Sequence, residues 1–290
     1  MSENKHGDFD EDQLVGSLND GALDDLVGPD VDEATEEAID EAAIDPLDEA
    51  VEKPEGIGDT LKTVFYAILI ALAVRTVAYE PFNIPSGSMI PTLLIGDYLF
   101  VSKFSYGYSR YSLPLGLPLI PGRIFADEPE RGDVAVFKLP TDNATDYIKR
   151  IVGLPGDIIQ VRNGVLHINE KPVGRERLVD YRFQNYTGNF MAIPHYMETL
   201  PGGRSHPILE TDGDIGSLDN TPAFHVPEGH YFAMGDNRDN SSDSRVFGFI
   251  PAQNLVGRAE FLFLSTNGAL WEFWKWGDTI RFERIFTGIE

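Results

Sequence analysis

Three separated stretches hold the residues best suited to chemistry. The first, PSGSMIPTL over residues 85–93, sets Ser86 and Ser88 on either side of one glycine. The second, DYIKRIVGLPGD over residues 146–157, places Lys149 among apolar neighbours, and the third, MGDNRDNSSDSRVFGFIP, runs from Met234 to Pro251. A serine hydroxyl attacks a carbonyl only when a base takes its proton, and the familiar base is a histidine held by a carboxylate. Nothing in the order of the residues singles out a Ser/His/Asp set, although one assembled in space stays open. The alternative is a lysine, because burial disfavours the ammonium and lowers its pKa until the amine can accept a proton at neutral pH. Each stretch also has a plainer reading. Pro-Ser-Gly-Ser is common turn chemistry, a lone lysine is ordinarily a surface group, and an Asp/Asn/Ser-rich loop satisfies its own backbone.

Such residues need a scaffold. After residue 100 the chain alternates short runs rich in Val, Ile, Phe and Tyr (DVAVFKLP, IIQVRNGVLHINE, HYFAMGD, RAEFLFLS) with Gly, Pro, Asn and Asp, the texture of a mainly β body. Asn163-Gly164 between two alternating segments predicts a type I′ hairpin, since both residues accept positive φ. Residues 111–133 are too rich in proline for a central strand, and residues 174–222 lack sustained periodicity, so both are expected to be long loops or an inserted β subdomain.

Ahead of the first stretch, LKTVFYAILIALAVRTVAY runs from Leu61 to Tyr79 and is unbroken apolar from Val64 to Val74. As a helix, nineteen residues reach about 28 Å, close to the ~30 Å hydrocarbon core, and Arg75 near the end can snorkel to the headgroups. A transmembrane helix over 61–79 is therefore expected. A cleavable leader is not, because sixty polar residues precede it. Lys62 and Arg75 lie near opposite ends and leave the orientation open.

The formal charge of −24 belongs mostly to residues 1–60, with 21 Asp and Glu against 2 Lys and Arg. Self-repulsion and little apolar surface predict disorder there, with short amphipathic turns around DQLVGSLNDGALDDLVG that could dock on an unknown partner. No basic stripe exists to neutralise phosphates, so nucleic acid is not expected as a partner. The absence of cysteine excludes disulfides, thiolate catalysis and thiolate metal sites. The six histidines show no metal-ligand spacing, so neither a metal nor another cofactor is expected.

Together PSGSMIPTL, RGDVAVF, YIKRIVGLPGD and GDNRDNSSDSRVFGFIP, in that order behind a hydrophobic anchor, resemble the bacterial type I signal peptidase family over about residues 61–265. The resemblance implies two antiparallel β domains, the second inserted into the first within about 165–230, making up an extracytoplasmic catalytic body over 80–290. It implies a serine endopeptidase of the inner membrane that removes signal peptides after a small-x-small motif, with residues 1–60 cytoplasmic. Carried over by position, Ser88 is the nucleophile and Lys149 the general base. Ser86 and the Ser88 N–H form the oxyanion hole, and Ser241 orients the lysine. Phe82, Ile84, Pro85, Met89, Leu93, Tyr147 and Ile148 form shallow pockets for small side chains, and Asp243 and Arg245 a supporting ion pair. Asn237, Arg238 and Asp239 are expected only to shape their loop. Preprotein signal peptides and membrane lipid are the implied partners, the latter also suggested by Trp271, Trp274 and Trp276 beside Lys275, Arg281 and Arg284. Two rivals remain: a self-cleaving Ser–Lys protein of the SOS-repressor type, for which an acidic tail and membrane helix are the wrong module, and a membrane-anchored β scaffold with an inert Ser-Gly-Ser turn.

Overall fold

The computed structural model describes residues 57–113, 116–184 and 190–289. The disorder expected for residues 1–60 concerns, up to residue 56, positions outside the described residues, while residues 57–60 are helical. Helix α1 (Ile57–Val77) carries the apolar run, and none of its residues is buried by protein. It is long and apolar enough to cross a membrane. It ends earlier than the apolar pattern suggests, because Ala78 closes the last turn onto Val74 O and Tyr79 already pairs with Ser102 in the sheet.

Strands β1 (Tyr79–Asn83) and β2 (Asp97–Ser102) flank the serine-bearing turn, and among its described residues the proline-rich segment after them holds just the two-residue strands β3 (Tyr108–Ser109) and β4 (Arg123–Ile124). Next come β5 (Val134–Lys138) and β6 (Asp146–Gly153). The chain then leaves the main sheet for β7 (Ile158–Arg162), β8 (Val165–Ile168), β9 (Lys171–Pro172), β10 (Gly174–Arg177), β11 (Tyr181–Gln184), β12 (Phe190–Ile193), β13 (His195–Thr199), β14 (Ser205–Leu209) and β15 (Phe224–His225). It returns through β16 (His230–Met234), helix α2 (Ser244–Phe247), β17 (Ile250–Pro251), β18 (Leu255–Ser265) and helix α3 (Trp276–Thr279).

The main sheet has seven strands in the order β1-β2-β18-β5-β6-β16-β17, with every pairing antiparallel. The excursion from β7 to β15 forms sheets of its own, β15-β7-β8-β9, β10-β13-β14 and β11-β12. Its first strand is β7 at Ile158, paired with β8 in a regular hairpin. Asn163 and Gly164 turn that hairpin with φ of 48° and 71°, and Arg162 faces Val165. Residues 174–222, aperiodic in sequence, still supply strands: β10 buries no residue, β13 only Glu198, and β14 His206, Ile208 and Leu209, so no common alternation marks them.

Burial follows the sheets. Leu99, Val101, Val134, Val136, Val256 and Leu262 pack one core with Ile84, Met89 and Leu93 from the serine turn. Val152, Phe232 and Met234 join Ile159, Val161 and Leu166 of the excursion in another, which fixes the inserted strands to β6 and β16.

Candidate active site

β1 delivers the chain to the turn that bears the serines. Ile84 N donates to Asp97 O at 2.8 Å and Gly96 N returns to Ile84 O at 2.9 Å, so the strand stays pinned to its last residue before the turn. The turn is closed by Ile90 N to Gly87 O at 3.2 Å and Leu93 N to Met89 O at 2.8 Å. Met89 and Leu93 are wholly buried in the core. They act as apolar anchors for the turn that carries Ser88.

Lys149 arrives from β6, where Ala135 of β5 is its partner in register. Its Nζ lies 2.6 Å from Ser88 Oγ and 2.9 Å from Ile148 O, with the Tyr147 ring at 5.4 Å. The residue is 3% exposed. Burial pushes its ammonium down to about 8, against the opposing charges of Asp243 and Asp236. A short contact to a hydroxyl and a depressed pKa together describe an amine able to take the Ser88 proton.

The third stretch closes over this pair. Asn237 donates its backbone N–H to Ser88 O and its Nδ2 to Gly87 O, both at 3.0 Å, fixing the peptides on each side of the serine. Among the described residues no acceptor takes the Ser88 N–H. Ser86 is exposed, and its Oγ stands 3.5 Å from Ser88 Oγ, at the outer limit of a hydrogen bond. Gly235 leaves room for none but itself: a Cβ there would fall 2.3 Å from Ser241 Oγ and 2.5 Å from Ser88 O.

Ser241 is buried and its Oγ has no hydrogen-bond partner of good geometry, although it lies near enough to Asp243 to favour that carboxylate. Among the described residues Ser241 Oγ does not make the bond to Lys149 that the resemblance implies; Lys149 Nζ instead meets Ile148 O at 2.9 Å. Asp243 and Arg245 form a two-pronged pair at 2.9 and 2.8 Å. The same carboxylate caps α2 through Arg245 N and accepts from Gly235 N at 3.0 Å, so it shapes the loop that abuts Ser88.

Phe82, Ile84, Pro85, Tyr147 and Ile148 line a cleft of about 530 Å³ together with Ser86, Ser88, Lys149, Asn240 and Ser242. Met89 and Leu93, expected in its pockets, do not line it; they belong to the core behind the turn. Periodicity cannot separate a pocket wall from the layer behind it, since both are apolar.

Sequence reasoning passed over Arg150 and Asp236. Arg150 gives Nε and Nη2 to the two Asp236 oxygens at 2.9 Å each and Nη1 to Gly132 O at 2.7 Å, with both residues about 1% exposed. Thr92 Oγ1 donates to the same carboxylate at 2.5 Å, so the pair joins β6, the serine turn and the third stretch. The signal was available: an arginine inside an apolar strand demands a buried carboxylate, and Asp236 follows one of the few apolar runs that end in Gly-Asp.

The described profile "Signal peptidase, peptidase S26" matches residues 57–264. A signal peptidase I of Rickettsia typhi is 42% identical over 243 residues, covering 77% of this chain and 90% of its own. That of Rickettsia canadensis is 41% identical over 248 residues, covering 79% and 92%. A crystal structure of a signal peptidase I from Enterococcus faecalis aligns at 28% identity over 46% of this chain and 97% of its own, with a TM-score of 0.26.

Proposed function

The chain belongs to the signal peptidase family, peptidase S26, and from that membership we propose a membrane-anchored serine endopeptidase that removes signal peptides with Ser88 as nucleophile and Lys149 as base. The observation that carries this reading is the buried contact of 2.6 Å between Lys149 Nζ and Ser88 Oγ.

Ser88 Oγ adds to the scissile carbonyl while its proton passes to the neutral Lys149 amine. Charge then develops on the carbonyl oxygen. The Ser88 N–H, which has no acceptor among the described residues, and the exposed Ser86 hydroxyl are the donors for it, stabilising the transition state more than the ground state. The Lys149 ammonium returns the proton to the departing amine, leaving an ester on Ser88. A water deprotonated by the same amine hydrolyses the ester and restores the enzyme. In the ammonium form Lys149 needs acceptors, and Ile148 O at 2.9 Å supplies one.

The cleft walls are apolar and close to Ser88, which suits small side chains on the substrate and rejects larger ones by overlap. Such geometry supports cleavage after a small-x-small motif. α1 anchors the chain, and the body beyond it faces away from the cytoplasm with residues 1–60 inside. Trp271, Phe273 and Trp274 stand exposed at 78%, 68% and 66%, as expected of side chains that meet lipid headgroups.

The test is cleavage of a detergent-solubilised preprotein by wild type, Ser88→Ala and Lys149→Met, with the cut located by mass spectrometry. Cleavage by wild type alone after a small-x-small site, with both variants folded, is the expected result. Equal cleavage by both variants would overturn the dyad and call for another nucleophile.

A further inference from the structure

A second cluster of ionisable groups sits where the inserted strands meet the loop that covers Ser88. Glu210 follows directly on β14, Asp219 closes the turn after it, and Asp239 lies in the short 3-10 turn Arg238–Asn240. One carboxylate oxygen from each falls within 4.8 Å of the other two. Asp219 and Asp239 each give one oxygen to a backbone N–H, from Gly216 at 2.6 Å and Asp212 at 2.7 Å. Those bonds aim the remaining oxygens and neutralise nothing.

Glu210 is the anomaly. It is 1% exposed, and among the described residues neither of its oxygens accepts a hydrogen bond. Arg175 comes no nearer than 3.7 Å, because its guanidinium is committed to Asp214 at 2.7 Å and Gly164 O at 3.2 Å. Arg238 is taken up by Glu198 through both terminal nitrogens. Asp239 Oδ1 is likewise buried without a partner. Charged oxygens out of water and without hydrogen bonds are strongly disfavoured unless a counter-charge sits among them.

We propose that Glu210, Asp219 and Asp239 bind one divalent cation of the calcium class, which staples the inserted strands to the catalytic loop. The donors are all hard oxygens, with no imidazole or thiolate in the group, which disfavours zinc and copper. Oxygens on opposite sides of calcium stand about 4.6–5.2 Å apart, twice its bond length. Three oxygens within 4.8 Å therefore fit one calcium shell as they stand, with water completing it.

The position gives the cation a consequence for the active site. Leu209, the neighbour of Glu210, donates its N–H to Asp236 O at 2.9 Å and bridges Asn237 in parallel. Asn237 in turn holds Ser88 O and Gly87 O. A bound ion fixes both ends of this short path. No motif marks it, because the three carboxylates come from separate segments and no histidine or cysteine takes part.

The experiment uses the full chain in detergent, stripped with chelator, then titrated with calcium chloride alone while thermal unfolding and equilibrium dialysis are followed. Wild type should take up one calcium at this site, with a saturable rise in the unfolding midpoint. In Glu210→Gln and Asp239→Asn the midpoint response should weaken by at least about tenfold in calcium concentration. The acidic residues 1–60 are common to all three proteins, so only the difference reports on the site. Stripped Glu210→Gln should unfold at no lower temperature than stripped wild type, which separates a lost ligand from a damaged core. If Glu210→Gln does not fold, Asp239→Asn carries the comparison, since that residue is half-exposed. An absent calcium response in wild type at up to about 10 mM, well above the range of extracellular calcium modules, overturns the proposal. So does an equal response in a folded variant.

Discussion

Replacing Lys149 by methionine should abolish cleavage and at the same time stabilise the protein. Burial brings the amine from 10.5 down to about 8. At pH 7 about one amine in ten is then neutral, against about one in three thousand for an unperturbed lysine, a gain of about 300-fold in the reactive form. The same difference corresponds to about 3 kcal/mol at pH 7, an order-of-magnitude value. The sign follows from proton linkage. Between about pH 8 and 10.5 the unfolded chain binds the lysine proton and the folded one does not, so stability rises with pH across that window and is lost as pH falls through 8. Lys149→Met removes the cost of the buried ammonium, so denaturant unfolding at pH 7 should show a variant more stable than wild type by up to about 3 kcal/mol, with the difference vanishing above pH 10.5. In parallel, initial rates of preprotein cleavage by wild type should give kcat/KM with an acid limb near pH 8 and a slope of one proton. A flat profile below pH 8, a limb near 10.5, or a Lys149→Met protein that is active or markedly less stable at pH 7 would refute the reasoning.

Ser86→Ala should lower kcat by about 10²–10³-fold with little change in KM, the signature of a donor that acts mainly in the transition state, as single-turnover kinetics would show. Gly235→Ala should cost most of the activity, because its Cβ would meet Ser88 O at 2.5 Å and Ser241 Oγ at 2.3 Å; activity equal to wild type would mean the loop yields without moving the serine. Asp236→Ala leaves Arg150 buried without its two-pronged partner and should destabilise the fold by about 3–5 kcal/mol in denaturant titrations, whereas changes at exposed Ser242 should lie within about 0.5 kcal/mol.

The chain disclosed its architecture unevenly. Asn163-Gly164 announced a hairpin because the turn makes a demand on φ that few residues meet. α1 was visible through its length and apolarity, although its C-terminal limit depended on the pairing of Tyr79 with Ser102, a long-range event. The strands between residues 174 and 209 were hidden because they are short and share no alternation, β10 burying nothing, β13 a charged Glu198 and β14 a polar His206 beside Ile208 and Leu209. At the site, Ser88 and Lys149 stood out as residue types, but only the fold sets them 2.6 Å apart. Met89 and Leu93 were placed in the pockets through the resemblance alone, by position; the structure packs both in the core behind the turn. Glu210 was illegible for a different reason: nothing in its flanking residues reveals that it is buried without a hydrogen bond.

A single residue, Ala78, separates α1 from β1, and its carbonyl accepts from Lys103 N at 3.0 Å while Tyr108 Oη donates to Val77 O at 2.6 Å. The junction is thus clamped by backbone and side chain alike, with no slack between anchor and sheet. Such a joint works as a ruler. On the proposed reading of Ser88 as nucleophile, it would set that serine at one height above the helix end, so that a polypeptide would be cut where it emerges at that height and a suitable motif presented deeper or farther out would go untouched. Lengthening the joint would move the cut along the substrate without altering any residue that performs it.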